Sequence, residues 1–502
     1  MEYAEGRVVY FARLDPLRNV VLPIIGLEAI LTLALLAAWE VCRRKGFNRV
    51  TAVHFLFLML CLAPIGIASV AVLRAAPFDL TAAVRATWFW PAAFLVGIAP
   101  LIWIFRHPVG ASGLARSALV YSWPVLILLL MMAVRTSLRF PSRAYADGPL
   151  AAPISSPPPR TRVIWIIFDE LSQTIAFGNR PPGLTLPNLD RLKAESFYAT
   201  AAAAPGNRTE ISVPSLILGQ DVAATYPNRP DDLGVKLSSG NRIVSWQSLP
   251  NVFDSARELG FNTALVGWFH PYGRVLNRSL TRCYWTAGWL APGVEEPSEP
   301  RPLADGMWDR AGMQLIALPI AGHLPGVSPN YYNIREKLER FAYLNDHALE
   351  IAADPQIGLA LLHLPVPHPP AIYDRISGAF TSRGGSYLDN VALADRTLGE
   401  LRDAIEKAGL GGRTAILVSA DHGLRAYLWR GTTLWTREDE GVSHQDVMGV
   451  PFLVKFPGQK PGVCYTKPFN AILTRRLITG ILKGDITDST AVISAIEAPG
   501  SR

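Results

Sequence analysis

Four long apolar runs crowd the first quarter of this chain, and they constrain its fold more than any later feature. They cover residues 20–41, 51–72, 86–105 and 118–134, each near the roughly 20 residues that a helix needs to cross a bilayer. A cleaved leader would account for one such run, not for four. The competing reading is a set of buried helices in a soluble domain. Composition favours the membrane: of 502 residues, 50% are hydrophobic and only 18% charged, which is apolar for a soluble protein of this length. The sequence therefore predicts a transmembrane α-helical block of about four spans over residues 1–140, embedded in the membrane.

The short connections orient that block. The first carries Arg43, Arg44, Lys45 and Arg49 and the third Arg106 and Arg116, whereas the second has Arg74 and Arg85 beside Asp79. The positive-inside bias puts connections one and three in the cytoplasm and everything after residue 134 outside. Glu28, inside the first run, is either a functional group or the partner of another helix's polar group. Net charge is +7, but the basic residues form no long run, so no nucleic-acid partner is expected. Cys42, Cys61, Cys283 and Cys464 contain no CxxC pair, which argues against a thiolate zinc site. Whether Cys283 and Cys464 pair stays open.

A Pro/Ser-rich linker, residues 141–162, is expected to be extended and semi-rigid. Beyond it the pattern alternates over residues 163–485, followed by a tail of residues 486–502. Strands are expected at 163–168, 263–268, 358–364, 414–419 and 451–456, with helices at 188–197, 251–258, 336–352, 390–407 and 470–482. This predicts an α/β domain with a mostly parallel central sheet and helices on both faces, whose ligands sit outside the carboxyl ends of the strands.

Ligand-type side chains gather at those ends. Asp169 and Glu170 follow the first strand, Asp421-His422-Gly423 follow the strand at 414–419, and His368 comes just after the strand at 358–364. His444 sits in a polar loop before the strand at 451–456, while His363 reads as a structural strand residue and His270 as packing between aromatics. Carboxylates with imidazoles suit a divalent ion such as Zn²⁺, Mn²⁺ or Mg²⁺. Pro205-Gly206-Asn207 lead through Arg208 into Thr209 and an apolar helix that ends at Gly219. Thr209 is thus either a helix N-cap or a nucleophile in an anion-binding place.

Taken together these motifs resemble the alkaline phosphatase superfamily, in particular its sulfatase-like, membrane-anchored enzymes. Asp169-Glu170 is similar to that branch's opening metal motif and Asp421-His422-Gly423 to its later Asp-His-Gly motif. Thr209-Glu-Ile-Ser212-Val-Pro214 resembles the nucleophilic threonine stretch of lipid A phosphoethanolamine transferases, and lipoteichoic acid synthases share a membrane block and a threonine nucleophile. The resemblance implies Glu170, Thr209, Asp421 and His422 as ligands of one divalent metal, with Asp169 a further one. It implies Thr209, His368 and His444 as catalytic residues, with Arg208 and His270 toward the substrate. It further implies transfer of a phosphoethanolamine- or phosphoglycerol-type group from a membrane phospholipid to an envelope lipid or glycan through a phospho-threonine. The alternative is a phosphodiesterase or sulfatase-type hydrolase on the same site. The expected place is the bacterial inner membrane, with the catalytic domain periplasmic. Ser212-Val213-Pro214-Ser215 is followed by Leu216 where true sulfatases carry the Arg of C/S-x-P-x-R, which favours phosphorus over sulfur.

Overall fold

The computed structural model describes residues 10–11, 37, 142–157, 160–287, 331–432, 434–443 and 446–498. The chain divides into one compact unit of Met1–Leu14, Phe140–Ser298 and Asn330–Arg502 and another of Asp15–Arg139 and Glu299–Pro329. Apart from Ala37, every described residue belongs to the first. The four apolar runs (Ala37 excepted) and His444 therefore lie outside the described residues. Among the described residues, no helix is long and apolar enough to cross a membrane.

In chain order the strands are β1 (Arg162–Phe168), β2 (Phe197–Ala199), β3 (Val222–Arg229), β4 (Asp232–Leu237), β5 (Ile243–Ser245) and β6 (Asn262–Phe269). After them come β7 (Arg282–Ala287), β8 (Ile357–Leu364), β9 (Thr414–Ala420), β10 (Phe452–Lys455) and β11 (Val463–Tyr465). Eight of these form one sheet in the order β11-β2-β10-β9-β1-β8-β6-β7. β1, β6, β7, β8 and β9 run parallel, and β10 runs against β9 and β2. Every residue of β1, β8 and β9 is buried, as helices on both faces require.

The helices explain that burial. α1 (Pro187–Ala194), α4 (Tyr331–Ala353) and α5 (Tyr387–Lys407) pack together, with α4 also against β8 and β6. α2 (Thr209–Leu218), α3 (Val252–Glu258) and α6 (Thr474–Lys483) pack together, with α6 against β1. A further helix, α7 (Ser489–Glu497), buries Val492 and Ile496. At the foot of β1 the buried Arg162 donates to the carbonyls of Ala352 (2.8 Å) and Asp354 (2.8 Å), capping the last turn of α4.

All five expected strands and five expected helices are present, with shifted ends. The helix expected at 188–197 stops at Ala194, because Phe197 begins the short β2. The antiparallel β3-β4-β5 sheet and β7 have no counterpart in the sequence reading. β5 is only three residues long and β3 carries register shifts at Val222/Ala224 and Pro227/Arg229, which blur the alternation that reveals a strand. Cys283 on β7 and Cys464 on β11 stand at opposite edges of the large sheet, so they do not form a disulfide with each other.

Candidate active site

Register alone brings the central carboxylates together. Phe168 pairs with Ala420, and Ile167 pairs with both His363 and Ser419. Asp169 and Asp421 therefore leave neighbouring strands, about 4.8 Å apart, side by side at the carboxyl end of the sheet. His363, near the end of β8, joins them from the third strand. One donor atom each of Asp169, His363 and Asp421 lies within 4.8 Å of the others, and all three residues are buried. His363, expected to be structural, is thus a strand residue that also faces the carboxylates, its Nε2 3.6 Å from Asp169 Oδ2. Only the pairing of β8 with β1 shows this.

Thr209 comes to the cluster from a helix. It is the first residue of α2, the N-cap being Arg208, whose side chain makes no capping bond. The N-cap reading of Thr209 is therefore replaced: its Oγ1 donates to Asp169 Oδ2 (3.3 Å) and lies 3.3 Å from His422 Nε2. The preceding turn is locked, since Ser212 Oγ donates to the Gly206 carbonyl (2.7 Å). A Cβ on Gly206 would meet Ile211 Cγ2 at 2.8 Å, so the turn requires glycine. Arg208 itself is exposed and pairs with Glu210 (3.3 Å).

Donors are scarce around these acceptors. Asp421 Oδ1 accepts from the amides of Glu170 (3.2 Å) and His422 (2.9 Å). Among the described residues, Asp421 Oδ2 and Asp169 Oδ1 are buried without a hydrogen-bond partner. His422 Nδ1 lies 2.9 Å from the Gly423 carbonyl. Donating there leaves the Nε2 lone pair facing inward, 3.2 Å from Asp421 Oδ2 and 4.0 Å from Asp169 Oδ1. Two bare carboxylate oxygens, an imidazole lone pair and a hydroxyl oxygen thus converge on one spot. A divalent cation satisfies them together, and the backbone-oriented histidine is the usual support for such a ligand. The residues fit a metal. Burial and the neighbouring Asp169 charge push the Asp421 carboxyl above its usual range, as expected of like charges lacking their counter-ion.

Glu170 turns away from this spot. Its φ is +65°, a strained value for a residue with a side chain, and the Tyr387 hydroxyl holds its carbonyl at 2.6 Å. Its carboxylate accepts from Arg425 Nε (2.6 Å) and Trp429 Nε1 (3.1 Å). Burial favours the neutral acid, but the Arg425 charge prevails and the pKa falls below the usual glutamate value. Among the implied ligands, Glu170 is the one already satisfied by protein groups.

His368 lies against the site, its amide donating to the Asp169 carbonyl (3.0 Å). The ring packs edge-on to Trp268 (5.1 Å) and Trp429 (5.0 Å) and its Nδ1 sits 2.6 Å from the Pro369 carbonyl. Burial lowers its pKa to about 4, so the ring is neutral with Nε2 as an acceptor. Below it the buried Lys337, absent from the sequence reading, donates to the carbonyls of His368 and Pro370, the latter at 3.0 Å. His270 is buried among Trp246 (5.1 Å), Phe269 (5.0 Å) and Tyr272 (5.8 Å), as the aromatic-packing alternative expected. Gly423 closes the site from the other side: a Cβ there would meet the Asp446 carbonyl at 2.9 Å.

A family model described as "Sulfatase" matches residues 161–472. No curated protein matches the chain. Among solved structures, the phosphonate monoester hydrolase of Agrobacterium radiobacter is similar at 15% identity, covering 68% of this chain and 79% of that one, with a TM-score of 0.43. The PsFucS1 sulfatase from Pseudoalteromonas sp. is similar at 16% identity, covering 66% and 69%, with a TM-score of 0.40. At such scores the assignment rests on the family match alone, which spans the Asp169-Glu170, Thr209 and Asp421-His422 segments. The chain therefore belongs to the sulfatase family, metal-dependent enzymes that act on sulfate or phosphate esters.

Proposed function

We propose that this enzyme transfers a phospho-substituent, of the phosphoethanolamine or phosphoglycerol type, from a membrane phospholipid to an envelope lipid or glycan. Thr209 carries the group in between. The enzyme works at the bacterial inner membrane with its site on the periplasmic side. The observation that carries this is the position of Thr209 Oγ1, 3.3 Å from both Asp169 Oδ2 and His422 Nε2, beside two partnerless carboxylate oxygens. Asp169, Asp421, His422 and Thr209 would hold the divalent metal, with His363 beside Asp169 in the same group. When bound, the metal supplies Lewis-acid activation of the hydroxyl and of the phosphoryl oxygens.

In the first step the Thr209 Oγ–P bond forms as the bond from phosphorus to the lipid alcohol breaks. The threonine proton leaves along its hydrogen bond to Asp169 Oδ2 and finishes on the departing alcohol. In the second, an acceptor hydroxyl attacks phosphorus, the bond from phosphorus to Thr209 Oγ breaks, and the acceptor's proton passes through His368 Nε2 to the released Thr209 Oγ. With Nδ1 engaged on the Pro369 carbonyl, His368 presents Nε2 as the acceptor for that proton.

The test is intact-mass analysis of the metal-loaded full-length protein after incubation with phosphatidylethanolamine or phosphatidylglycerol vesicles. A phospho-adduct on Thr209, passed on to a glycolipid, is expected. Thr209→Ala should lose the adduct and at least on the order of 10³-fold in turnover while still binding metal. Release of the group to water alone would make the enzyme a hydrolase, and near-full activity in Thr209→Ala would remove the nucleophile.

A further inference from the structure

The N-terminal segment is far from the site in sequence, yet Tyr10 and Phe11 belong to the same compact unit as Thr209. Tyr10 is 0% and Phe11 3% exposed. Phe11 meets Phe269 edge-on at 5.0 Å and Tyr10 meets His270 at 6.0 Å. Arg274 Nη2 donates to the Tyr10 carbonyl (3.0 Å). Packing alone does not explain a tyrosine here. A phenylalanine would fill the same aromatic cage, and a buried hydroxyl is costly unless it is hydrogen-bonded.

The hydroxyl does have a partner: Tyr10 Oη lies 2.9 Å from His270 Nδ1. With the hydroxyl donating to Nδ1, the tautomer carries its hydrogen on Nε2. Among the described residues Nε2 completes no hydrogen bond, although the Thr209 backbone lies close enough to favour a proton on the ring. Phe269, just before His270, has φ +82°, so the turn that presents the ring is strained. The order of contact is therefore Tyr10, His270, then the first residue of α2.

We propose that Tyr10 is a positioning residue for the reaction: the N-terminal segment threads into the catalytic unit and orients His270 against the backbone that carries Thr209. This rests on Thr209 being the nucleophile.

The test uses full-length protein and bis-p-nitrophenyl phosphate. Tyr10→Phe keeps the ring, so kcat should fall about tenfold with KM unchanged, the cost of one hydrogen bond felt only in the transition state. In a His270→Gln background the same change should cost nothing further. Independently, p-benzoylphenylalanine at position 11 should crosslink to the peptide holding Phe269 and His270. Wild-type kcat in Tyr10→Phe, or a loss that adds fully to that of His270→Gln, would overturn the positioning role. A crosslink elsewhere would overturn the placement. Retained activity in Thr209→Ala would sink the nucleophile while leaving the crosslink result untouched.

Discussion

Asp169 and Glu170 are adjacent, equally buried and both acidic, yet they belong to opposite halves of the same rim. On the Asp169 side, partnerless oxygens of Asp169 and Asp421 face the His422 lone pair and the Thr209 hydroxyl. On the Glu170 side, Arg425 and Trp429 take the carboxylate and Tyr387 takes the carbonyl. One half lacks a cation and the other carries its own. Buried charge is tolerable only when paired or coordinated, so the first half is built for a ligand and the second to hold the rim in place.

Substitutions on each half can break that distinction. The largest effect is expected from Asp421→Asn. Turnover should fall by at least ~10²-fold, and metal affinity by more than the roughly 10–100-fold that changes outside the ligand shell cause. The melting temperature of the metal-free protein should hold or rise, because a strained like charge is removed. Titration calorimetry with Zn²⁺ and Mn²⁺ reads the affinity; wild-type metal binding would refute the assignment of this half. Next comes Glu170→Gln, which strands the buried Arg425 guanidinium. It should destabilise the fold by about 3–5 kcal/mol, seen in denaturant midpoints, and leave metal affinity nearly unchanged. Loss of metal together with modest destabilisation would show Glu170 to be a ligand and dissolve the contrast.

The sequence made one half of the rim more legible than the other. The strand preceding Asp169 is apolar from Val163 to Phe168 and that preceding Asp421 is apolar from Ala415 to Val418, and their ligand-type ends need only the rule that parallel strands finish on one side. Thr209 was visible from the Pro-Gly-Asn turn before an apolar helix. Its place as first helical residue, and not as cap, depends on the backbone of Arg208. His363 was passed over because a histidine inside an apolar strand looks like core; its role comes from pairing with Ile167, which periodicity cannot supply. Arg425, Trp429, Tyr387 and Lys337 carry no motif at all. They reach the rim from a loop and from three different helices, and a local pattern holds no record of such distant contacts. Tyr10 is the extreme case, 260 residues from its partner His270.

Lys337 offers the finest test of the comparison, because it is a buried cation hydrogen-bonded to carbonyls where Arg425 has a carboxylate. Its ammonium reaches the His368 and Pro370 carbonyls, which Asn390 Nδ2 also holds at 3.1 Å and 3.0 Å. Burial, only partly offset by the Asp169 charge, lowers its pKa from 10.5 to about 7. The sign follows from proton counts. Between pH 7 and 10.5 the unfolded chain keeps a proton that the folded one gives up, so stability from this group rises with pH across that window. Below about pH 7 both states are protonated and the penalty is constant. Wild-type protein should therefore gain stability from pH 7 to 9 relative to Lys337→Met, by at most about 1.4 kcal/mol per pH unit. Denaturant midpoints at three pH values measure it. Parallel pH dependences in the two proteins would mean that the carbonyls hold the full charge of Lys337 as firmly as Glu170 holds that of Arg425. In that event the two halves of the rim would differ in geometry and not in how they treat charge.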